Sequence, residues 1–356
     1  MSSVDFRKRK KKILNNLNDT IDGLERGYIE AGRISNIVEN TRQILDDLDE
    51  RFCKQTGLTE TDVAFLFLAT GLQIARQYLL SNEKCRLSAS QGDKLVDTAL
   101  SLAPPTWQDV LTQSVPYDAI KTGNHVSDTG LSGTTHRFRT LGHDPIFGWF
   151  FGTANILTNS LTKTDFETYQ VKNMRIIRHY PMGAAGMMER AVSYSIDDPK
   201  LLVVSVARQA IHFGSDYFTK QGLPVPFIAT ANNDLAKKML SEWHIDMWSI
   251  TRGMALATFI NQVIAIMHRL FYAGNTDMDQ KLYEVRTRKI LSYSNLIATS
   301  SNLAVVAITH DMQKLDIGGM AVTIYRLITD AQFIRQVKEE FIFGNYREII
   351  IGDDFQ

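Results

Sequence analysis

A line of polar side chains runs through an otherwise apolar helical stretch in the middle of the chain. The stretch is VSVARQAIHFGSDYFTKQGLPVP, residues 204–226, and its polar line comprises Ser205, Arg208, His212, Asp216 and Thr219. This spacing places all five on one narrow face of an α-helix. His212 and Asp216 are four residues apart, so their side chains could bind one metal ion or hydrogen-bond each other. Since an apolar helix rarely carries ionisable groups without partners, the partners must come from another part of the chain.

The segment 104–144 is the best source of those partners. It is rich in Gly, Ser, Thr and Asp, it lacks clear periodicity, and it holds three of the chain's eight histidines. Long irregular segments inside a folded domain are often functional. Its imidazole and carboxylate groups suit zinc or a similar transition metal, and they belong to His125, Asp128, His136, His143 and Asp144. We therefore expect the polar helix to face this segment, with Arg208 able to bind a substrate phosphate.

Each of these groups also has a purely structural interpretation. The His–Asp pair of the polar helix could belong to an internal hydrogen-bond network that fixes helix packing. Asp144 could cap a helix that begins at Pro145, a role compatible with a ligand role for His143. His136 could be an exposed loop residue. The remaining histidines are expected to be structural, and they are His179, His244, His268 and His310.

Composition excludes some classes of protein. The 356 residues include 39 acidic and 39 basic side chains, so a general nucleic-acid coat is not expected. The run RKRKKK, residues 7–12, predicts that residues 1–12 are a disordered basic arm, with phosphate binding as the alternative. The two cysteines, Cys53 and Cys85, form no metal-binding pair and indicate a reducing cytoplasm. The apolar stretch 254–272 contains Asn, Gln, His and Arg, so we interpret it as a core helix of a soluble protein, with peripheral membrane contact left open.

Helical periodicity predicts a mainly α fold, a multi-helix bundle with a long irregular loop around 104–144. Apolar residues at helical spacing over 13–57 predict N-terminal amphipathic helices, and residues 58–356 are expected to form the main all-α domain. Only MRIIRHY and REIIIG resemble strands. Beyond the loop, the predicted helices cover about 145–160, 196–220, 232–248, 250–273, 277–300, 301–309 and 318–341.

Two short stretches resemble a known family. HFGSDYFTKQGLP, residues 212–224, fits the helical pattern HxxxDxxTxxGxP of membrane-associated, metal-dependent hydrolases related to zinc-dependent phospholipase C. HRFRTLGHDP, residues 136–145, is similar to the HRxxTHS pattern of the same family, with a longer spacing before the second His and no Ser after it. The family's transmembrane helices have no clear counterparts in this sequence.

The resemblance implies an all-α metal-dependent hydrolase that acts on a phosphoester, with a phospholipid as one candidate substrate. The residues that would hold one or more divalent ions, zinc foremost, are His143, Asp144, His212 and Asp216, completed by His136 or His125. The metal would activate a water molecule for attack. Arg137 or Arg208 would neutralise the phosphoryl oxygens in the transition state.

The alternative function is a non-enzymatic helical protein that assembles with a partner. The amphipathic helices over residues 13–57 would then bind the partner, and the His and Asp groups would form a structural hydrogen-bond network. No specific nucleic acid is expected as a partner in either case. The expected location is the cytoplasm, with peripheral membrane contact in the hydrolase interpretation.

Overall fold

The computed structural model describes residues 3–79 and 113–352, together with the single positions 91, 94, 98, 104, 105, 107 and 111. The chain is mainly α-helical, which confirms the fold class expected from its periodicity. In chain order the helices of the described part are α1 (Ser3–Glu39), α2 (Thr41–Gln55), α3 (Glu60–Leu79), α4 (His136–Arg139), α5 (Phe147–Thr158), α6 (Gly183–Asp197), α7 (Pro199–Phe218), α8 (Ile228–Ala231), α9 (Asn233–Lys237), α10 (Met247–Arg269), α11 (Asp277–Thr309) and α12 (Ile317–Ile351). Short 3₁₀ turns cover Pro116–Asp118, Leu141–His143 and Met312–Lys314, and a π turn covers Lys238–Glu242.

The helices beyond residue 145 differ from the predicted ranges in a few places. α11 is one helix where two were predicted, because no Gly or Pro interrupts residues 277–309. α12 includes most of the run REIIIG, so the strand-like interpretation of that run is wrong; its helical context outweighs the β propensity of three consecutive Ile residues. The predicted helix 232–248 is shorter, since the π turn ends at Glu242 and α10 begins at Met247. α6 was not predicted, because its Gly-rich start gives a weak helical signal.

A small sheet accompanies the helices between residues 121 and 179. Its strands are β1 (Lys121–Thr122), β2 (Ser160–Thr162), β3 (Thr168–Lys172) and β4 (Arg175–His179). The strand order is β1-β4-β3-β2, in which β1 and β4 are parallel and the other pairs are antiparallel. The strand-like run MRIIRHY contains β4, whereas β1, β2 and β3 have no counterpart in the sequence prediction.

The segment expected to be an irregular loop carries short elements. Within residues 113–144 it contains two 3₁₀ turns, β1 and α4. These elements fix the backbone on both sides of the predicted histidine ligands. Positions 106, 108–110 and 112 of the segment, and Cys85, lie outside the described residues.

The basic run near the start of the chain is helical. α1 begins at Ser3, so the expectation of a disordered arm over residues 1–12 is wrong for positions 3–12; positions 1 and 2 lie outside the described residues. α1 and α2 fall where amphipathic helices were predicted. Several apolar side chains of α1 are exposed, including Leu24 and Tyr28. A protein partner for this region stays a prediction.

The chain divides into two compact units, each built from separate segments. The first comprises the described residues up to Phe67, Ile264–Tyr293 and those from Tyr325 onward. The second comprises Leu68–Val263 and Ser294–Ile324, and it contains the sheet and every predicted metal ligand. This division differs from the boundary expected between residues 57 and 58.

Two helices of the described chain, α10 and α11, are long and apolar enough to cross a membrane. A third span results if the bent pair of α2 and α3 counts as one. α10 includes most of the stretch expected to be a core helix, and that expectation is not met. Only 17% of its apolar window is buried, and Phe259 and Ile266 are 62% and 65% exposed. The helices are therefore compatible with membrane association.

Candidate metal centre

α7 carries the polar line seen in the sequence, and local hydrogen bonds define its ends. Pro199 lies in the first turn, and the Asp198 carboxylate caps the helix by accepting from two backbone N–H groups of that turn. The helix ends before Thr219, whose backbone is extended and whose hydroxyl donates to the Asp216 carbonyl oxygen. Ser205 and Asp216 are buried, so the polar line faces the interior of the second unit.

An anchored tyrosine positions the first acidic group of the site. The Tyr117 hydroxyl donates to Oε1 of Gln209 at 2.6 Å, and the Gln209 amide donates to the carbonyl oxygen of Gly142 at 2.9 Å. Gly142 is needed because a Cβ atom at this position would lie 2.4 Å from Cγ of Tyr117. The buried Tyr117 ring contacts two imidazole rings edge-on. The next residue, Asp118, is thereby held beside the same two imidazoles.

The hydrogen bonds around His143 determine its tautomer. The Thr140 hydroxyl donates to the carbonyl oxygen of His136 at 2.9 Å, so its single proton is used. The Thr140 oxygen therefore accepts from Nδ1–H of His143, 2.7 Å away. Because Nδ1 carries the proton, Nε2 of the neutral ring presents its lone pair to the site, as a metal ligand must.

Three ligand atoms from separate segments converge on one point. Nε2 of His143 lies 3.0 Å from Oδ1 of Asp118 and 3.3 Å from Nε2 of His212. The third separation, between Nε2 of His212 and Oδ1 of Asp118, is 3.6 Å. Two nitrogen ligands of one tetrahedral zinc ion lie about 3.3 Å apart, given zinc–nitrogen bonds of about 2.0–2.1 Å. Asp118, His143 and His212 therefore form a group that could hold one metal ion.

Asp216 adds a further carboxylate oxygen beside the two imidazoles. Its Oδ2 lies 3.2 Å from Nε2 of His212 and 3.5 Å from Nε2 of His143. Its Oδ1 pairs with Arg137, whose Nη2 is 2.7 Å away. Nη1 of Arg137 donates to one hydroxyl and one carbonyl oxygen just beyond α7. The Arg137 guanidinium therefore orients Asp216 and connects α4 to the end of α7.

Two carboxylate oxygens of this group are buried without an aligned hydrogen-bond donor among the described residues. They are Oδ1 of Asp118 and Oδ2 of Asp216. The lone pair of His143 Nε2 thus lies close to negative oxygen atoms, an arrangement that is unfavourable unless a cation lies between them. A divalent ion meets this need, and imidazole with carboxylate is a donor set that zinc binds. The residues present therefore fit a metal ion.

The carboxylates and imidazoles of the site alter one another's protonation. Burial lowers the pKa of His143 to about 4, so this ring is neutral at pH 7. Burial also disfavours the charged form of His212, but Asp216 and Asp118 outweigh it and raise its pKa above the usual value. Desolvation also disfavours the charged forms of Asp118 and Asp216, yet the imidazoles hold the pKa of each carboxyl below its usual range. Both carboxylates therefore stay charged, and they favour a proton on His212 when no cation is bound.

The structure brings three of the six predicted ligands together, namely His143, His212 and Asp216. His136 lies at the edge of the group, with its Nε2 3.9 Å from Oδ1 of Asp118. His125 lies in an exposed turn and is not part of the group.

Asp144 accepts backbone hydrogen bonds just before α5 and α8. Its Oδ1 accepts from the backbone N–H groups of Ile146 and Phe147 at 2.9 Å, and its Oδ2 accepts from the N–H of Phe227 at 2.7 Å. Oδ1 is therefore occupied just before α5 and Oδ2 just before α8, and Asp144 is not part of the group that could hold an ion. The helix expected to begin at Pro145 begins at Phe147.

Of the two arginines predicted to neutralise a phosphoryl group, Arg208 is the one with no carboxylate partner in the part of the chain that the structure describes. Arg137 is paired with Asp216. Arg208 lies one turn before His212, close enough to Tyr117 and Asp118 for electrostatic interaction, and its buried Nε has no hydrogen-bond partner among the described residues. Arg208 is therefore the better placed of the two to meet an anion.

Asp118 is the functional residue that sequence reasoning missed. It is one of four acidic residues in the segment 104–144, and neither periodicity nor a neighbouring His distinguishes it. The one sequence feature that could have indicated Asp118 is the motif VPYDA, in which Pro and a large aromatic residue precede the acid in a polar segment. Such a pair indicates a buried turn, which would hold the following carboxylate in a fixed position.

Comparison of the chain with known protein families, with curated proteins and with solved structures finds no match. The fold and the site define a mainly α-helical protein with a His/Asp group that could hold a metal ion. The function is therefore inferred from the chemistry of the site.

Proposed function

We propose that this protein is a metal-dependent hydrolase that acts on a phosphoester, with zinc as the ion. The observation that carries the proposal is the convergence of Asp118, His143 and His212 at a point where buried carboxylate oxygens lack donors. The resemblance of residues 212–224 to the hydrolase pattern HxxxDxxTxxGxP supports the same reaction class.

Each side chain of the group would contribute one ligand atom to the ion. His143 and His212 would supply their Nε2 atoms and Asp118 would supply Oδ1, while Oδ2 of Asp216, beside both imidazoles, would be the candidate for a fourth ligand. Hydrogen bonds from the surrounding chain fix the orientation of His143 and Asp216. When bound, zinc supplies Lewis-acid chemistry that brings the pKa of water to about 7 and polarises a phosphoryl oxygen.

Arg208 is proposed to bind the anionic substrate. Its guanidinium has no ion-pair partner among the described residues although it lies near Asp118. A guanidinium group binds two phosphate oxygens through parallel hydrogen bonds and stabilises charge that develops on them. Arg137 acts differently, because its pairing with Asp216 makes it a positioning residue.

His136 is proposed to accept a proton from water at the edge of the site. Its Nδ1 lies 3.0 Å from the carbonyl oxygen of Ser132, which can only accept, so Nδ1 carries the proton of the neutral ring. Its Nε2 therefore has a lone pair, and this atom lies 3.9 Å from Oδ1 of Asp118. This placement suits a general base better than a fourth ligand.

A phospholipid is the phosphoester that the rest of the chain favours. The start of the apolar helix α10 packs beside the helix that carries the ligands, since the rings of Tyr217 and Trp248 lie 5.3 Å apart. A membrane that contacts α10 would therefore be close to the site. A cytoplasmic location at the membrane surface agrees with the low cysteine content.

The test uses the purified full-length chain loaded with zinc. We expect one zinc ion per chain and zinc-dependent hydrolysis of bis-p-nitrophenyl phosphate and of phosphatidylcholine in mixed micelles. His143→Gln and His212→Gln should abolish both the bound zinc and the hydrolysis. His125→Gln is the matched control, because His125 is exposed and lies outside the group, and it should retain both.

The alternative function predicts a different set of results. A chain that binds no stoichiometric zinc, manganese or iron, and whose unfolding does not respond to EDTA, would contradict the hydrolase proposal. If His143→Gln still destabilised that chain, the His and Asp groups would be the structural network of a non-enzymatic helical protein.

A further inference from the structure

A pocket of about 280 Å³ lies in the first unit and is lined by residues of α10, α11, the loop between them, and α12. It contains none of the residues of the metal centre. Its volume is near the lower end of small-molecule sites, roughly 300 Å³. Its charged lining residues are Arg269, Glu284, Arg288 and Arg326. Three guanidinium groups thus face the pocket with a single carboxylate.

Arg288 is held rigidly in the wall of the pocket. Its Nε and Nη2 donate to Oε1 of Glu284 at 2.9 and 2.7 Å, and its Nη1 donates to Oδ1 of Asp330 at 3.0 Å. Its guanidinium carbon lies 3.9 Å from the ring centre of Phe333. A guanidinium has five N–H groups, so Arg288 keeps unused donors after these contacts.

The other two arginines are less committed. Nη1 of Arg326 lies 3.4 Å from each oxygen of Asp330, which is a long contact to a carboxylate that Arg288 and Ser292 already use. The Arg269 side chain makes no ion pair or hydrogen bond with any described residue, and it is exposed at the end of α10. The pocket therefore has an excess of positive charge after both nearby carboxylates are counted.

The neutral hydroxyl groups of the lining do not change this balance. The Tyr283 hydroxyl donates to the carbonyl oxygen of His268 at 2.6 Å, and the Thr287 hydroxyl donates to the carbonyl oxygen of Tyr283 at 3.2 Å. The arginines and the Gln280 amide have donors left over, so the pocket suits a ligand that is rich in acceptor oxygens.

We propose that this pocket binds a phosphate group. A phosphate presents several acceptor oxygens at once, and guanidinium groups match its geometry. The phosphate could belong to a soluble phosphate ester or to a lipid headgroup, and the second source has support from the surroundings of Arg269. The neighbouring side chains Ile266, Leu270 and Phe271 are apolar and largely exposed, as expected where a chain meets the acyl region of a membrane.

The experiment compares the full-length chain with Arg269→Gln in excess EDTA, so that the metal centre does not contribute. One arm measures binding of inorganic phosphate and of glycerol 3-phosphate by calorimetry. The other arm measures flotation with phosphatidylcholine vesicles that contain or lack phosphatidic acid. Arg269→Gln should fold normally because the Arg269 side chain is exposed and makes no ion pair or hydrogen bond with any described residue. Arg335→Gln is the matched control, since Arg335 lies on α12 as an exposed arginine outside the pocket.

We expect phosphate binding that Arg269→Gln weakens about tenfold or more and that Arg335→Gln leaves unchanged. If Arg269→Gln loses binding of the soluble ligands alone, the natural ligand is a soluble phosphate ester. If it loses binding to the phosphatidic acid vesicles alone, the natural ligand is a lipid headgroup. Either result supports the proposal. Absence of binding in both arms, or equal binding by Arg269→Gln and the unmodified chain, would overturn it.

Discussion

Thr140→Val removes the hydrogen bond that prepares His143 for a metal ion, together with the bond from the Thr140 hydroxyl to the carbonyl oxygen of His136, which still accepts from the Thr140 backbone N–H. The substitution keeps the volume of a side chain that is 1% exposed and removes the oxygen that accepts from Nδ1–H of His143. In the metal-free variant the imidazole can move its proton to Nε2 and donate to Oδ1 of Asp118, 3.0 Å away. A bound zinc ion would need the Nε2 lone pair, so in the zinc-bound variant the proton of the neutral ring would have to be on Nδ1.

The cost of the substitution therefore falls on the zinc-bound state. His143 is fully buried, so its Nδ1–H would face the methyl groups of the introduced valine without an acceptor or water. A buried donor without a partner costs about 1–3 kcal/mol. This corresponds to a loss of zinc affinity of roughly 10–100-fold, the range found when partners of metal ligands are removed.

The assay is competition for zinc between the EDTA-stripped protein and a fluorescent chelator of known affinity. Thr153→Val is the matched control, because Thr153 is also buried and its hydroxyl has no hydrogen-bond partner among the described residues. Thr140→Ser should restore most of the affinity, since it keeps the hydroxyl. Equal zinc affinity in Thr140→Val and the unmodified chain, or an equal loss in Thr153→Val, would refute the tautomer reasoning.

Three further results are expected. Asp118→Asn should weaken zinc binding about a hundredfold in calorimetry, since one of four ligands contributes roughly 3 kcal/mol. Asp144→Asn should leave zinc binding intact but lower the free energy of unfolding in urea by about 1–3 kcal/mol. Gly142→Ala places a Cβ atom 2.4 Å from the Tyr117 ring, so it should lower the free energy of unfolding by about 1–3 kcal/mol and displace Asp118. Gly133→Ala is the control, because its Cβ atom meets no atom within 4 Å, and its free energy of unfolding should be unchanged. In EDTA, stability should fall by up to about 3 kcal/mol between pH 6.5 and pH 4, because the pKa of His143 drops from 6.5 to about 4 on folding and the unfolded chain takes up the proton first. The raised pKa of His212 does not offset this loss, since its contribution is already complete below pH 6.5, and a fall of the same size in His143→Gln would contradict the assignment.

The polar line of α7 shows what helical spacing can predict. Spacing alone placed His212 and Asp216 on one face, and the need for partners predicted that this face meets the segment 104–144. The 3.3 Å separation of His143 and His212 fulfils that expectation. These predictions depend only on local periodicity and on the cost of burying unpaired polar groups.

Asp118 and Asp144 show where sequence reasoning fails. The placement of Asp118 depends on the bond between Tyr117 and Gln209, residues 92 positions apart, which no local pattern reveals. The role of Asp144 depends partly on Phe227, whose N–H group is 83 positions away. A carboxylate next to a His looks the same in sequence whether it binds a metal or caps a helix.

The long helices show a similar limit at the level of the fold. Periodicity identified most of the helical segments beyond residue 145. It predicted two helices where α11 is one, and it predicted an end for α12 ten residues before Ile351. Both errors arise because the apolar pattern weakens along a long helix whose faces contact different neighbours. β2 and β3 escaped prediction because strands of 3 and 5 residues give too few alternations.

Diffraction at the zinc absorption edge from crystals of the zinc-loaded chain tests the central claim most directly. The proposal predicts one anomalous peak, about 2.0–2.2 Å from Nε2 of His143, Nε2 of His212 and Oδ1 of Asp118. A zinc-loaded crystal with no peak between these three residues, or with its zinc bound elsewhere in the chain, would contradict the proposal.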